Sequence, residues 1–275
     1  VMWRAVGRCD NLPRHARGPP VIGKLMKIIT KRSAVLPALI VLGVMASSVS
    51  AQPTSRVDAM AQLDFRSVVR SAKAQVFPAV VYIKCIRQSH EQGRKISTEV
   101  WGSGVLISPD GELLTNWHVI DKATEVRCLL LDGSAYHADV LGSDKDVDLA
   151  LLKLRLDENA PDLPHARLGS SDALTEGDFV MAMCAPFGLA RSVSIGIISC
   201  TRRYLPKSSQ YSLWLQTDAA ISPGNSGGPL VDTEGQLVGI NTRGVMSGGD
   251  MGFAIPVDTI RALLDPLRKH GQVKR

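Results

Sequence analysis

Apolar positions recur in two rhythms along the chain. From Phe65 to Val76 they fall at helical spacing, with Phe65, Val68, Val69, Ala72 and Val76 on one face and Arg66, Arg70 and Lys73 on the other. This predicts an amphipathic helix. Downstream come β-type runs at Ala79–Ile86, Val100–Ile107, Glu125–Leu131, Ala135–Leu141 and Leu149–Leu154. Ala160-Pro-Asp-Leu-Pro164 reads as a connector, and a second series follows at Phe179–Ala185, Val193–Cys200, Ser212–Thr217, Gln236–Thr242 and Met251–Ile255. Many short strands divided by Gly, Pro and Asp turns, with little helix between them, argue for an all-β architecture rather than a parallel sheet. Ile260, Leu263, Leu264 and Leu267 return to helical spacing, and Pro266 is expected to kink or end that last helix. No internal repeat or low-complexity tract interrupts the pattern.

The N-terminal pattern is of another kind. Lys24, Lys27, Lys31 and Arg32 precede the apolar run Ala34–Ala46, and small residues lead to Val49-Ser-Ala51 just before Gln52. Positive, apolar and cleavage regions in that order predict a secretory signal peptide over 26–51. An uncleaved anchor is the competing reading, but the apolar run contains Pro37 and falls short of the roughly 20 residues that span a bilayer. Membrane association is thus expected only if the leader stays on. Residues 1–25 are expected to be a non-translated or leader extension ahead of a start at Met26, and 52–275 the mature domain, periplasmic or secreted.

Charge follows this division. The chain is +6 overall, yet residues 1–51 hold eight Lys or Arg against Asp10 alone. Residues 52–275 have 24 basic and 25 acidic side chains, a net charge of −1. The basic balance therefore belongs to the leader, and nothing supports nucleic-acid binding.

The most informative segment is Gly224-Asn-Ser-Gly-Gly-Pro-Leu230. A serine between glycines can sit on a tight turn with its Oγ exposed and neighbouring N–H groups converging, as acyl transfer requires. Taken singly, it is equally a flexible turn. A serine nucleophile needs a base, and the base a carboxylate to orient it. His118 stands at the end of a strand-like apolar run in Leu113–Ile120, and Asp148 opens the strand Leu149–Leu154, where a buried carboxylate needs a partner. Singly, these are a core histidine and a strand cap. Their order, His118, Asp148, Ser226, excludes the α/β-hydrolase alternative, in which Ser precedes the acid and His. Only His270 follows Ser226, six residues from the end.

On these residues the chain resembles the HtrA (Deg) family of chymotrypsin-fold serine proteases. The likeness rests on Gly102–Gly111, Leu114–Ile120, Asp148–Leu154, Ala185–Leu189, Gln216–Ile221, Gly224–Leu230, Gly239–Thr242 and Gly252–Pro256. It implies a chymotrypsin-like double β-barrel, with one barrel over about 76–158, the other over about 165–258, and a C-terminal helix at 259–270. It implies His118 as general base, Asp148 as its orienter and Ser226 as nucleophile. The N–H groups of Gly224 and Ser226, with Asn225 between, would form the oxyanion hole. Ser103 is then a strand-edge serine outside the chemistry. The specificity pocket is expected from Ala220, Ile221, Asn241, Thr242 and Arg243, favouring small to medium aliphatic residues before the scissile bond. Arg243 would either narrow the pocket, accept an acidic side chain or face solvent.

Two departures stand out. Most members carry PDZ domains after the protease, whereas about twenty residues follow the last motif here and such a domain needs on the order of a hundred. Control by a PDZ module is thus not expected within this chain. Second, Cys184-Ala185 replaces the family's usual Gly-Asn before Pro-Phe-Gly.

Four cysteines fall in 52–275, and export would place them where disulfides survive. In a fold of this kind Cys85 would lie near Cys128, and Cys184 and Cys200 on successive strands, so two bridges are expected, with buried free thiols as the alternative. The scattered histidines have no metal-ligand spacing. No metal or cofactor is expected. The reading is an exported endopeptidase acting on unfolded or damaged envelope polypeptides, with a homotrimer as the implied assembly. A dedicated regulatory protease and a chaperone-like binding protein on a protease scaffold are the alternatives.

Overall fold

The structure, a computed structural model, describes residues 64–91, 94–186, 191–205, 212–222, 224–245 and 251–273. The expected leader extension and signal peptide lie outside the described residues. Strands β1 (Val80–Glu91), β2 (Arg94–Leu106), β3 (Glu112–Thr115), β4 (Ala123–Leu129), β5 (Ala135–Asp144) and β6 (Leu149–Leu154) close into an antiparallel barrel in the order β1-β2-β3-β6-β5-β4. Strands β7 (Phe179–Cys184), β8 (Ser192–Tyr204), β9 (Leu213–Thr217), β10 (Pro229–Val231), β11 (Leu237–Val245) and β12 (Met251–Pro256) close into a second, ordered β10-β11-β12-β9-β8-β7.

Alternation sets which side of each strand enters the barrel. In β1, Val81, Ile83 and Cys85 are buried while Tyr82, Lys84 and Ile86 are only partly so. In β6, Leu149, Ala150, Leu151 and Leu152 are all fully buried, as expected of a strand covered on both faces. The expected strands appear close to their predicted positions. β3 and β10 are the exceptions: at four and three residues they are too short for a period of two to register.

The barrels share a core. One buried cluster runs from Ile83, Leu106 and Leu151 through Met181, Met183, Val231 and Ile240 to Ile260 and Leu267. A smaller cluster, including Val180, Ile198, Leu215 and Val238, belongs to the second barrel. The chain between β6 and β7 straps the two together: Ala166 N–H donates to Leu106 O at 2.9 Å, and Leu237 N–H to Arg167 O at 2.8 Å.

Helix α1 (Phe65–Val76) starts at Asp64, whose carboxylate caps the Arg66 N–H at 3.0 Å, and buries Ala72 and Val76. A one-turn helix, α2 (Trp117–Ile120), follows β3. The last helix, α3 (Val257–His270), continues past Pro266 rather than ending there. Two anchors lie beyond the proline: Leu267 is fully buried, and Arg268 reaches Glu112 through two guanidinium bonds of 2.7 and 3.0 Å. The helix stops instead at Gly271, left-handed with φ 69°, whose N–H caps Leu267 O at 3.0 Å.

The expected disulfides are not formed; all four described cysteines are free thiols. β1 and β4 are neighbours as anticipated, but Cys85 faces Val126 and Cys128 faces Ile83. The two cysteines are diagonal partners, roughly 7–8 Å apart by sheet geometry and beyond comfortable disulfide reach. On β7 and β8, Cys184 faces Ser192, eight residues before Cys200, which puts the two at opposite ends of the ladder. Burial pushes the Cys85 thiol up to about 12 and raises Cys128 and Cys184 too, so these thiols stay protonated.

Candidate active site

His118 lies on α2, where the chain leaves β3 of the first barrel. Its Nδ1 is 2.8 Å from Asp148 Oδ2 and 3.0 Å from Oδ1, and its backbone N–H donates to Oδ1 at 3.0 Å. A carboxylate facing Nδ1 keeps the proton on that nitrogen and leaves Nε2 as the acceptor. The Arg87 guanidinium holds the other end of the residue, donating to His118 O at 2.6 Å.

Asp148 is nearly buried and takes a left-handed backbone, φ 61°. Such a conformation is tolerated by aspartate where surrounding bonds over-determine it. Those bonds are present. The Asp148 carbonyl accepts from Trp117 N–H at 3.1 Å and from the Asn116 amide at 3.0 Å. Its carboxylate also accepts the Thr242 hydroxyl. The cost of burying the charge is thus offset by three donors: the His118 N–H, the imidazole and a hydroxyl.

Ser226 comes from the second barrel, in the loop between β9 and β10. Its Oγ donates to Thr242 O at 2.9 Å, so Thr242 touches Asp148 with its side chain and Ser226 with its carbonyl. Backbone bonds also hold the loop: Asn225 N–H to Ser222 O at 2.9 Å, Gly227 N–H to Asn241 O at 2.8 Å, and Gly228 N–H to Asn225 O at 3.0 Å. Gly227 has φ 86°, and a Cβ there would overlap the carbonyl of Ser103 and the hydroxyl of Thr115. Both facts require glycine at this position.

The residues where the chain departs from the family pattern meet the same loop. The Cys184 thiol donates to Asn225 Oδ1 at 2.8 Å, and the Asn225 amide reaches Ala220 O at 3.2 Å. Ala185 N–H donates to Ser103 Oγ at 3.0 Å. Ser103 is fully buried, and its hydroxyl bonds the loop that carries Ser226.

The expected pocket residues divide. Ala220 is exposed, and Ile221 packs where a Cβ on Gly252 would stand, with its carbonyl against Gly244. Arg243 is exposed with its guanidinium carbon 5.8 Å from the centre of the Trp214 ring. Asn241 is fully buried, and its amide donates to Pro229 O at 3.0 Å. The Thr242 hydroxyl donates to the Asp148 carboxylate. Thr242, Asn116, Arg87 and Ser103 are the residues whose part at the site the sequence reading misses. Gly239-Ile-Asn-Thr242 flags the right strand, but nothing in the sequence tells which way Thr242 points.

Comparison with known proteins agrees with this geometry. Residues 102–240 match the model of the trypsin-like peptidase domain. The chain is 45% identical over 185 residues to a probable periplasmic serine endoprotease, DegP-like, of Pseudomonas savastanoi pv. phaseolicola, covering 66% of this chain and 38% of that protein. A protein of the same description from Marinomonas sp. is 46% identical over 188 residues, again covering 38% of its length. This chain thus spans little more than a third of the length of these relatives. Among solved structures, the HtrA-type protease AlgW with a decapeptide aligns with TM-score 0.65 and 36% identity, over 74% of this chain and 68% of that one. A family match over half of the chain, on two barrels that bring a histidine–aspartate pair up to a serine loop, makes this protein a member of the trypsin-like serine peptidase family, of the HtrA type.

Proposed function

We propose that the chain is an exported serine endopeptidase in which Ser226 is the nucleophile, His118 the general base and acid, and Asp148 the group that orients the imidazole. The observation that carries this is the double contact of the Asp148 carboxylate with His118 Nδ1, joined through Thr242 to the serine. Ser226 Oγ turns from Thr242 O to His118 Nε2 and attacks the scissile carbonyl as its proton passes to the imidazole. The carbonyl oxygen gathers negative charge beside the N–H groups of Gly224 and Ser226, and such donors typically contribute about 2.7–4 kcal/mol each. The imidazolium then protonates the leaving amine, and water, activated by the same base, hydrolyses the acyl-enzyme. No metal or cofactor enters this scheme.

The substrates are polypeptides, and we place the enzyme in the periplasm or outside the cell, acting on unfolded or damaged envelope proteins. The periplasmic description of its relatives and the signal-peptide pattern of 26–51 support this reading. Ile221, packed between Gly244 and Gly252, favours small aliphatic residues before the scissile bond. A homotrimer is the assembly implied by the family resemblance. The exposed Phe65 ring, 5.1 Å from that of exposed Phe179, offers it an apolar surface.

The test is digestion of a reduced, unfolded protein by the chain and by Ser226→Ala, with cut sites read by mass spectrometry. Cleavage after Ala or Val by the wild type alone is expected. Cleavage by both, or by neither, contradicts the proposal and favours a binding protein on this scaffold.

A further inference from the structure

Ser103 belongs to β2 of the first barrel, yet it holds the loop of the second barrel that presents Ser226. Its N–H donates to Ser226 O at 2.8 Å. Its hydroxyl donates to Gly224 O at 2.7 Å and accepts from Ala185 N–H at 3.0 Å. Its carbonyl accepts from Thr115 Oγ1 at 2.8 Å. Every polar group of a fully buried serine is thus engaged. A hydroxyl has one proton to give, and with the Ala185 N–H on its oxygen, that proton points at Gly224. Ser103 is therefore no second nucleophile.

The loop needs such a hold. Gly224 and Gly227 have φ of 98° and 86°, and glycines move between such states at little cost. His118 and Asp148 belong to the first barrel and Ser226 to the second, so their mutual aim depends on bonds between the barrels. Ser103 bonds the carbonyls of the two residues, Gly224 and Ser226, whose N–H groups form the proposed oxyanion hole.

We propose that Ser103 is a positioning residue for acyl transfer: its hydroxyl fixes the peptide following Gly224, and so keeps the oxyanion donors and the Ser226 hydroxyl aligned with the His118–Asp148 pair. This rests on the reading of Ser226 as the nucleophile. Alanine keeps the backbone N–H that donates to Ser226 O, so Ser103→Ala isolates the hydroxyl. It leaves Gly224 O and Ala185 N–H without that partner, and the loop gains freedom in the direction that matters for the oxyanion.

The experiment compares the full chain, Ser103→Ala, Thr115→Val and Ser226→Ala. Turnover is measured on a peptide containing one cleavable bond, together with binding of a peptidyl trifluoromethyl ketone and of the amine-side cleavage product. The ketone carbon bonds to Ser226 Oγ, the serine proton moves to His118 Nε2, and the ketone oxygen becomes the oxyanion, so its affinity reads the tetrahedral geometry. Thr115→Val removes the neighbouring bond to the Ser103 carbonyl and serves as the packing control.

For Ser103→Ala the expected result is a fall in kcat of about 10–100-fold, less than the loss of a donor itself, with KM within about twofold. Ketone affinity should fall by the same factor as kcat/KM while product binding holds. A Ser103→Ala chain that unfolds, that loses no more kcat than Thr115→Val, or that binds the ketone as tightly as wild type would overturn the proposal; Ser103 would then serve only the packing of β2. If the wild type itself forms no adduct while Ser226→Ala behaves identically, the reading of Ser226 fails, and the role of Ser103 with it.

Discussion

In the first barrel, His118 and Asp148 are fixed by side-chain bonds made over and over on the same few atoms: imidazole to carboxylate, N–H to carboxylate, guanidinium to carbonyl. In the second barrel, Ser226 rides on a glycine-rich loop held by backbone bonds together with the Ser103 hydroxyl and the Asn225 side chain, and its own hydroxyl rests on the carbonyl of Thr242. The first arrangement presets a proton acceptor. The second rests the hydroxyl of the proposed nucleophile on a carbonyl of its own barrel. The difference teaches where the site is vulnerable: the acid–base pair fails through loss of a functional group, the serine loop through loss of a shape.

Substitutions at each half should separate the two modes of failure. The largest effect is expected from Ser226→Ala, which should lower kcat on a peptide substrate by about five to six orders of magnitude while leaving the unfolding midpoint near wild type. Asp148→Asn should cost about four orders, since an amide can present N–H to the imidazole and reverse its tautomer. Steady-state hydrolysis of the same peptide checks both. Gly227→Ala breaks the shape instead. The strained φ and the overlap with Ser103 and Thr115 should cost about 3 kcal/mol of stability or more, visible in denaturant unfolding.

Smaller changes sharpen the contrast. Thr242→Val deletes one hydroxyl on the Asp148 carboxylate but keeps the carbonyl that Ser226 uses. It should lower kcat about tenfold with KM little changed. Asp258, in the first turn of α3, accepts from Ser170 Oγ, from Ser171 N–H and Oγ, and from Asp172 N–H, at 2.7–3.0 Å. Partial burial raises its pKa, but the Asp172 N–H and the two serine hydroxyls outweigh this and bring it below the usual carboxylate value. A depressed folded value stabilises above the unfolded pKa of about 3.9 and is lost as pH falls through the folded one. Asp258→Asn should therefore cost about 1 kcal/mol at neutral pH, with the gap to wild type closing below about pH 4 in unfolding titrations.

What could be read in the sequence follows the same division. Alternating apolar runs reveal most strands because each barrel wall has one inward face, as in Val81, Ile83 and Cys85. The chemistry-bearing motifs are legible because glycines around Ser226 and a carboxylate opening an apolar strand are costly without a purpose. Thr242 is 94 residues from Asp148, and threonine is an ordinary strand residue, so the pattern identifies its strand but not its direction. Ser103 is hidden for the same reason: an apolar strand tolerates a serine as long as every bond is made, and the partners lie more than 80 residues away. Pro266 misleads because its local penalty is outweighed by Leu267 and Arg268. The cysteines mislead because adjacency of strands does not fix register, and a shift of two residues separates Cys85 from Cys128.

The account's central claim is that Ser226 is made reactive by a histidine–aspartate pair from the other barrel. The most direct test is labelling of the full chain with a fluorophosphonate, with the modified residue identified by mass spectrometry, beside His118→Ala. We expect one phosphonyl group per chain, on Ser226, with labelling nearly abolished in His118→Ala. Labelling on another residue, or equal labelling of Ser226 without His118, would contradict the account.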